Sequence, residues 1–338
     1  VNDWFRIEGR RNALLGLTAL VAIAAGCAET SGGAVGGPNA RGSADDSDLW
    51  NMVPAAVDTL AEVDLGAMRS SAWTRALTES GLSGQRDESR RAYGYDPFTD
   101  GDRLLAYAVE TGNQHPRTVT VVRGRFDPNR VGAAFTAANP HAGATRWRDS
   151  PLWEGSGRAV ALVTPRTLVT GDPADVRAAI DAAWGIVPDA RPGPLGELRR
   201  AMAADREGPA SFAAVNVTEG LRARAAGFAS LPPGLRRFAA RVDLGQDLNL
   251  DFTGVADTAA DATAAADNIV AAARMYAQGT MVRLLGLAPV LNSLAAAAEG
   301  TRLHGHLTVP AEQRDRLGDK LLAVLQTLAA VKHRSAGP

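Results

Sequence analysis

The sequence predicts an α+β protein: a tandem repeat of a βαββαβ unit, with antiparallel sheets and helices packed on one face. Three observations lead there. From Trp50 onward, short β-like runs alternate with Ala-rich helical runs. A Pro- and Gly-rich break at 187–195, VPDARPGPL, divides that part into similar halves. Val63-Asp64-Leu65 in the first half matches Val215-Asn216-Val217 in the second, and in both a strand runs on into a helix. With 338 residues, 46% of them hydrophobic, there is material for one large domain or two ordinary ones.

The elements follow in order. In the first half, 60–72 reads as a strand entering a helix, and 102–110 with 118–124 as a hairpin. Asp127-Pro128 and Asp172-Pro173 each set an N-cap carboxylate before a proline at the first helical position, where its missing N–H costs nothing. The strand 158–164 closes the half and the helix 173–184 trails it. In the second half, 212–225 repeats the strand-to-helix pattern, and 238–244 pairs with 248–255 about the tight turn Gly245-Gln246-Asp247. A helical insert at 258–298 follows. It consists of a helix over 258–278, for which Asp257 serves as N-cap, then a second over 281–298, with Leu284, Leu287, Leu291 and Leu294 in a stripe and a kink at Pro289. Asp261, Asp267, Arg274 and Arg283 argue against a membrane span there. The strand 301–309 comes next, and Val309-Pro310 opens a helix over 311–330 whose Leu317, Leu321, Val324, Leu325 and Leu328 face inward. The order β-α-β-β-α-β is the split βαβ of ferredoxin-like folds. The organisation is thus 49–186 for the first repeat, 187–195 for a linker, 196–331 for the second repeat, and 332–338 for a disordered tail.

The first residues carry a different message. Arg6, Arg10 and Arg11 precede the apolar run 13–25, and the small residues Ala24, Ala25 and Gly26 stand before Cys27, the one cysteine of the chain. That is a secretory signal layout over 1–26. The run is shorter than the roughly 20 residues a membrane-crossing helix needs, so it reads as a leader to be removed. A first residue other than Met suggests an alternative start codon or an upstream cut. Ala24-Ala25-Gly26-Cys27 resembles the lipobox of bacterial lipoproteins, with Ala24 where Leu is commonest. The resemblance implies cleavage after Gly26 and diacylglycerol, with further acylation such as palmitate, on Cys27. An ordinary signal peptide cut near Ala25, or a buried free cysteine, is the other reading. Arg10-Arg11 also resembles a twin-arginine signal, but Asn12-Ala13-Leu14 fits it poorly, and general secretion is preferred.

Each buried CH2 of an acyl chain contributes about 0.8 kcal/mol, and two or more chains anchor stably where one binds reversibly. Residues 27–48, rich in Gly, Ser and Asp, have too little apolar surface to order themselves and read as a flexible tether. Such a segment reaches about 25 Å. Ala28 after Cys27 implies, by resemblance to enterobacterial lipoproteins, an outer-membrane location facing the periplasm. Gly94-Tyr95-Asp96-Pro97 and Asp100-Gly101-Asp102-Arg103 resemble segments of uncharacterised deltaproteobacterial envelope lipoproteins, a resemblance that carries no activity.

Charge and motifs exclude several functions. The formal net charge is −1 with signs mixed along the chain, so no basic face awaits nucleic acid. The lysines are Lys320 and Lys332, and no phosphate-binding loop is written around them. His304 and His306 share one side of a strand and would need a third metal ligand, Asp243 or Asp251; the plainer reading is the polar side of a half-buried strand. Asp96 to Asp102 resembles a calcium loop, but Phe98 takes a ligand position and Tyr107 stands where a bidentate Glu is required. Glu154-Gly155-Ser156-Gly157 lacks the spacing of a nucleophile elbow. Trp147, Arg148 and Trp153, on a long connection, offer a glycan or peptide contact. No cofactor and no catalytic residue is expected. The sequence therefore points to a membrane-anchored envelope lipoprotein, a non-enzymatic binding or scaffold domain for an envelope protein or the cell wall; the alternative is a carrier of lipid or another hydrophobic ligand using the Ala-rich insert 258–298.

Overall fold

The structure is a computed structural model that describes residues 48–74, 83–109, 117–203, 211–225, 231–284 and 286–314. The leader, Gly26, Cys27 and all but the last residue of the tether lie outside the described residues, as does the C-terminal chain beyond Arg314.

Twelve strands are described: β1 Thr59–Asp64, β2 Gly101–Val109, β3 Arg117–Gly124, β4 Gly143–Trp147, β5 Ser150–Gly155, β6 Arg158–Thr164, β7 Thr167–Gly171, β8 Ser211–Asn216, β9 Leu235–Leu244, β10 Leu248–Ala256, β11 Ala295–Glu299 and β12 Arg302–Val309. They form one sheet in the order β11-β12-β10-β9-β8-β1-β2-β3-β7-β6-β5-β4. Each neighbouring pair is antiparallel.

The ferredoxin-like order does not describe this sheet. A split βαβ sets a third strand between the two that its helix joins, whereas here β1 pairs directly with β2, and β2 with β3. The halves do correspond in succession. Outward from the central β1–β8 pair, β2, β3 and β7 on one side answer β9, β10 and β12 on the other. The pairing Leu60↔Ala214 and Val63↔Ser211 joins the halves into one continuous sheet.

Because side chains alternate along a strand, β1 and β2 serve two cores. Val63, Leu104 and Ala106 point to one face, where Val131 and Phe135 of the helix Pro128–Ala138 cover them together with Leu65 and Met68. The helix Ala259–Ala277 continues that cover over the second half, with Ala265 and Ala266 packed on Ala240, Phe252 and Leu303. Leu60, Leu105 and Tyr107 point to the opposite face, under Val176, Ala179 and Ile180 of the helix Pro173–Ala183, Leu195 and Leu198 of Pro194–Ala203, and Trp50 of the 3-10 turn Leu49–Met52. That second face is covered over the first half. Over β12 and β11 it is open, and Arg302, His304, His306, Ala295 and Ala297 are exposed.

The helix starts follow the sequence signals. Asp127 accepts from Asn129 N at 2.9 Å and Asp172 from Ala174 N at 3.0 Å, each with proline in the first turn. The long helix is capped by Thr258, which accepts from Asp261 N at 3.1 Å. Asp257, expected in that role, instead pairs with Arg236.

Elsewhere the sequence reading is corrected. Residues 281–298 are not one kinked helix: Thr280–Leu284 and Ala288–Asn292 are single turns, and Ala295–Glu299 is an edge strand. Pro289 starts a turn there, where its ring is tolerated, instead of bending a helix. Trp147 and Trp153 lie in the β4–β5 hairpin, not on a long connection. After Pro310 a 3-10 turn Ala311–Gln313 is described; the remainder of the expected helix 311–330 lies beyond the described residues. The segment 187–195 is bound to the first half. Ala55 N donates to Pro188 O at 3.0 Å, Ala190 N donates to Val53 O at 2.8 Å, and Ala190 and Leu195 are buried.

Candidate functional site

Three surface features are built by this arrangement. The first is a cleft of about 290 Å3 at the border between the covered and open parts of the second face. Glu62 and Asp64 of β1, Arg103 of β2, Phe212 of β8 and Arg241 of β9 meet there with Arg199, Arg200, Met202 and Ala203 from the end of the helix Pro194–Ala203. Its innermost part is tightly wired. Trp50 Nε1 donates to Glu62 Oε2 at 2.8 Å, and Arg199 donates to the same oxygen at 3.1 Å while lying 4.7 Å from the Trp50 ring centre. Arg199 also reaches Asp48 at 2.9 Å. Arg241, with a side chain only 3% exposed, grips Asp243 through both oxygens and donates to Met202 O at 2.8 Å.

The second feature is an open groove of about 690 Å3 between the helix Pro128–Ala138 and the β4–β5 hairpin. Its lining includes Gly132, Ala133, Ala137, Ala144 and Trp153. A side chain at Gly132 would strike the Trp153 ring at 2.7–2.9 Å, so glycine is what lets the indole lie against the helix. Trp147 is no free stacking surface either. Its Nε1 donates to Asp181 at 3.0 Å, and Arg148 and Arg177 lie 5.4 and 5.2 Å from its ring centre. Arg148 and Arg177 are themselves held by Asp181 and Glu154.

The third is an apolar seam against the single turn Ala288–Asn292. Buried Val290, Leu307 and Val309 are ringed by Trp73, Leu248, Leu250, Leu287 and Leu294, all only partly buried. Met275, on the neighbouring helix, is 57% exposed.

The histidines do not converge on a metal. His306 Nδ1 lies 2.6 Å from Asp251 and its Nε2 2.6 Å from Thr308, which donates to Asn249 at 2.9 Å. His304 faces Thr253 across the ladder, and Asp243 is held by Arg241. Among the described residues no group of three or more His, Cys, Asp or Glu is placed to hold a metal ion. The Asp96–Asp102 stretch is a helix start. Asp96 accepts from Phe98 N at 2.9 Å and from Arg86 at 2.8 Å, and is also paired with Arg90. Burial would raise its pKa, but the hydrogen bonds from Arg86 and Phe98 and the charges of Arg86 and Arg90 hold it below the ordinary aspartate value. Glu154 to Gly157 runs from the end of β5 into the β5–β6 turn, with Ser156 and Gly157 at φ of 53° and 74°.

Sequence reasoning missed the arginine cleft. Its charges come from three strands and a helix spread between residues 62 and 241, and no local spacing records their meeting.

No family model matches the chain, and no curated protein matches it. Its fold is similar to that of TP0453. The solved structure of TP0453 in crystal form III aligns with a TM-score of 0.50 at 10% identity, over 82% of this chain and 99% of that one. Crystal forms IV and I of TP0453 align at 0.48, also at 10% identity, over 81% and 82% of this chain and 96% and 98% of theirs. TP0453 thus shares the α+β architecture, a large antiparallel sheet with helices packed along a face.

Proposed function

We propose that the protein is a lipid-anchored, non-catalytic envelope protein whose folded part binds a hydrophobic ligand at the helical insert 258–298. The observation that carries this reading is the seam of half-buried apolar side chains around Val290, Leu307 and Val309. The single turn Ala288–Asn292 lies against it through Val290, with Leu287 just before the turn. The adjoining helix Ala259–Ala277 turns small side chains to the sheet, with Ala265 and Ala266 buried against it. Large apolar side chains left partly in water are the surface that a hydrocarbon chain would dehydrate, at about 25 cal/mol per Å2.

The sequence motif Ala24-Ala25-Gly26-Cys27 supports the anchor: acyl chains on Cys27, cleavage after Gly26, and residues 27–48 as a tether holding the domain at the outer membrane on its periplasmic side. The matching succession of β1, β2, β3 and β7 with β8, β9, β10 and β12 supports reading 49–186 and 196–331 as copies of one unit. A scaffold for an envelope protein or cell-wall partner remains the second reading, favoured by the open groove beside Trp153.

The test uses an uncharged probe. The methyl ester of a doxyl-labelled stearate should quench tryptophan fluorescence, and Trp73→Phe, at the rim of the seam, should remove most of that quenching. Leu294→Glu should weaken binding about tenfold or more, the scale of placing a charge in an apolar contact. Quenching that persists unchanged in both variants sinks the hydrophobic-ligand reading.

A further inference from the structure

The arginine cleft on the second face lies away from the apolar seam and is built differently. We propose that it binds an anionic amphiphile, a phosphate or carboxylate group carried on a short apolar body. This goes beyond the hydrophobic-ligand reading and stands without it.

Most of the charges in the cleft are already paired. Glu62 is saturated: one oxygen accepts from Trp50 and Arg199, and the other faces Arg103. Arg199 is shared between Glu62 and Asp48, and Arg241 is consumed by Asp243 and the Met202 carbonyl. These groups form a rigid, neutralised wall. Two guanidiniums differ from them. Arg103 stands 3.7 Å from Glu62 and 4.0 Å from Asp64, too far for hydrogen bonds, and its side chain is 41% exposed. Arg200 is exposed and donates to the Arg191 carbonyl at 2.6 Å; no carboxylate is paired with it among the described residues. With Asp48 and Asp243 counted, four arginines meet four carboxylates at the cleft, and the two whose guanidiniums make no hydrogen bond to a carboxylate among the described residues, Arg103 and Arg200, belong to its lining.

Guanidinium forks match planar carboxylates and phosphates, and a concave setting strengthens them over an exposed pair. The apolar requirement comes from the remaining lining. Phe212 is buried against Trp50, with ring centres 6.0 Å apart, and Met202 and Ala203 continue that surface towards solvent. A bare inorganic anion would leave this surface wet. An anion with a few carbons behind it would satisfy both, and about 290 Å3 accommodates a headgroup with a short chain but not a whole lipid.

The experiment is calorimetric titration of the full chain with three probes: hexyl phosphate, inorganic phosphate and hexanol. Hexyl phosphate should bind, inorganic phosphate should bind at least fivefold more weakly, and hexanol should show no saturable binding. Arg103→Gln and Arg200→Gln should each weaken hexyl phosphate about tenfold, the usual scale for one charged hydrogen-bonding partner. Arg103→Lys, which keeps the charge but loses the fork, should fall between. Met202→Gln should weaken hexyl phosphate while leaving inorganic phosphate unchanged. Thermal melting of each variant reports whether it is folded, and Arg200, on the exposed rim, offers the substitution least able to disturb the core. Equal binding of hexyl phosphate by the wild type and the folded Arg200→Gln and Arg103→Gln variants overturns the proposal. So does equal affinity for inorganic and hexyl phosphate, which would assign the cleft to a free anion. The uncharged stearate ester tests the seam separately, so either site can fail alone.

Discussion

At the residue scale, two buried aspartates give the molecule opposite responses to acid. Asp96, nearly sealed from solvent, is held in its charged form by Arg86, Arg90 and the N–H of Phe98, so its folded pKa is depressed. Its contribution is present above the unfolded carboxylate range, about pH 4, and is lost as pH falls through the lower folded value. Asp175 is the reverse. Burial raises its pKa, Arg117 at 3.0 Å opposes that, and Asp172 adds to it. The folded state therefore keeps a proton that the unfolded chain has released, and stability declines as pH rises from about 4 through the raised value. Tyr107 shares the environment of Asp175: it is fully buried, its hydroxyl lacks a partner among the described groups, and its pKa is pushed well up by burial and by the Asp175 charge. Urea unfolding between pH 2 and 7 should separate the two. Asp96→Asn should cost about 2 kcal/mol at pH 7, since removing one member of a nearly buried pair strands its partners, and the loss should shrink at low pH. Asp175→Asn should flatten the decline above pH 4. An Asp96→Asn loss independent of pH would disprove the ionic assignment.

Elements were legible in the sequence where local chemistry decides them. The Asp-Pro pairs at 127–128 and 172–173 give a cap and a preset φ within two residues, and both helices start there. The two long hairpins were legible because their strands are long, eight to ten residues each, and neighbour each other in sequence. The insert was not. Leu284, Leu287, Leu291 and Leu294 keep helical spacing, and Ala295 to Ala298 are strong helix formers, yet β12 offers a ladder that overrides propensity. Gly286, at φ 73°, ends one turn before Pro289 opens the next. What holds β11 in place is a close approach at Gly305, where a Cβ would meet Phe252 Cζ at 2.1 Å and the Ala295 carbonyl at 2.6 Å. Gly305→Ala should therefore cost about 2 kcal/mol through overpacking. It should also raise amide exchange specifically across Ala295–Glu299, while exchange in β2 and β3 stays unchanged. A neutral effect would show that β11 is free to move aside.

For the whole molecule, the deciding feature is the seam between the halves. The sequence places a break at 187–195, but composition cannot say whether the runs of elements on either side of it close separately or share a sheet. Here β1 carries β2 on one edge and β8 on the other, so neither half has a finished edge at that position. The largest core is common property: Leu49, Trp50 and Tyr107 from one side are buried in the same cluster as Leu198, Phe212, Ala214 and Ala239 from the other. The arginine cleft is likewise assembled across the seam, from β1 and β2 with β8 and β9. Cutting the chain in 187–195 should then expose two unpaired central strands and split one core, not release two domains. Expressed apart, residues 48–188 and 189–338 should each lack dispersed amide resonances and expose enough apolar surface to bind a hydrophobic dye. Mixed during refolding, they should recover the dispersed spectrum and the cleft's affinity for hexyl phosphate together, because both depend on the β1–β8 pairing. Two separately folded, dispersed fragments would show that the shared sheet is a docking of finished domains, and the cleft would then belong to an interface able to open.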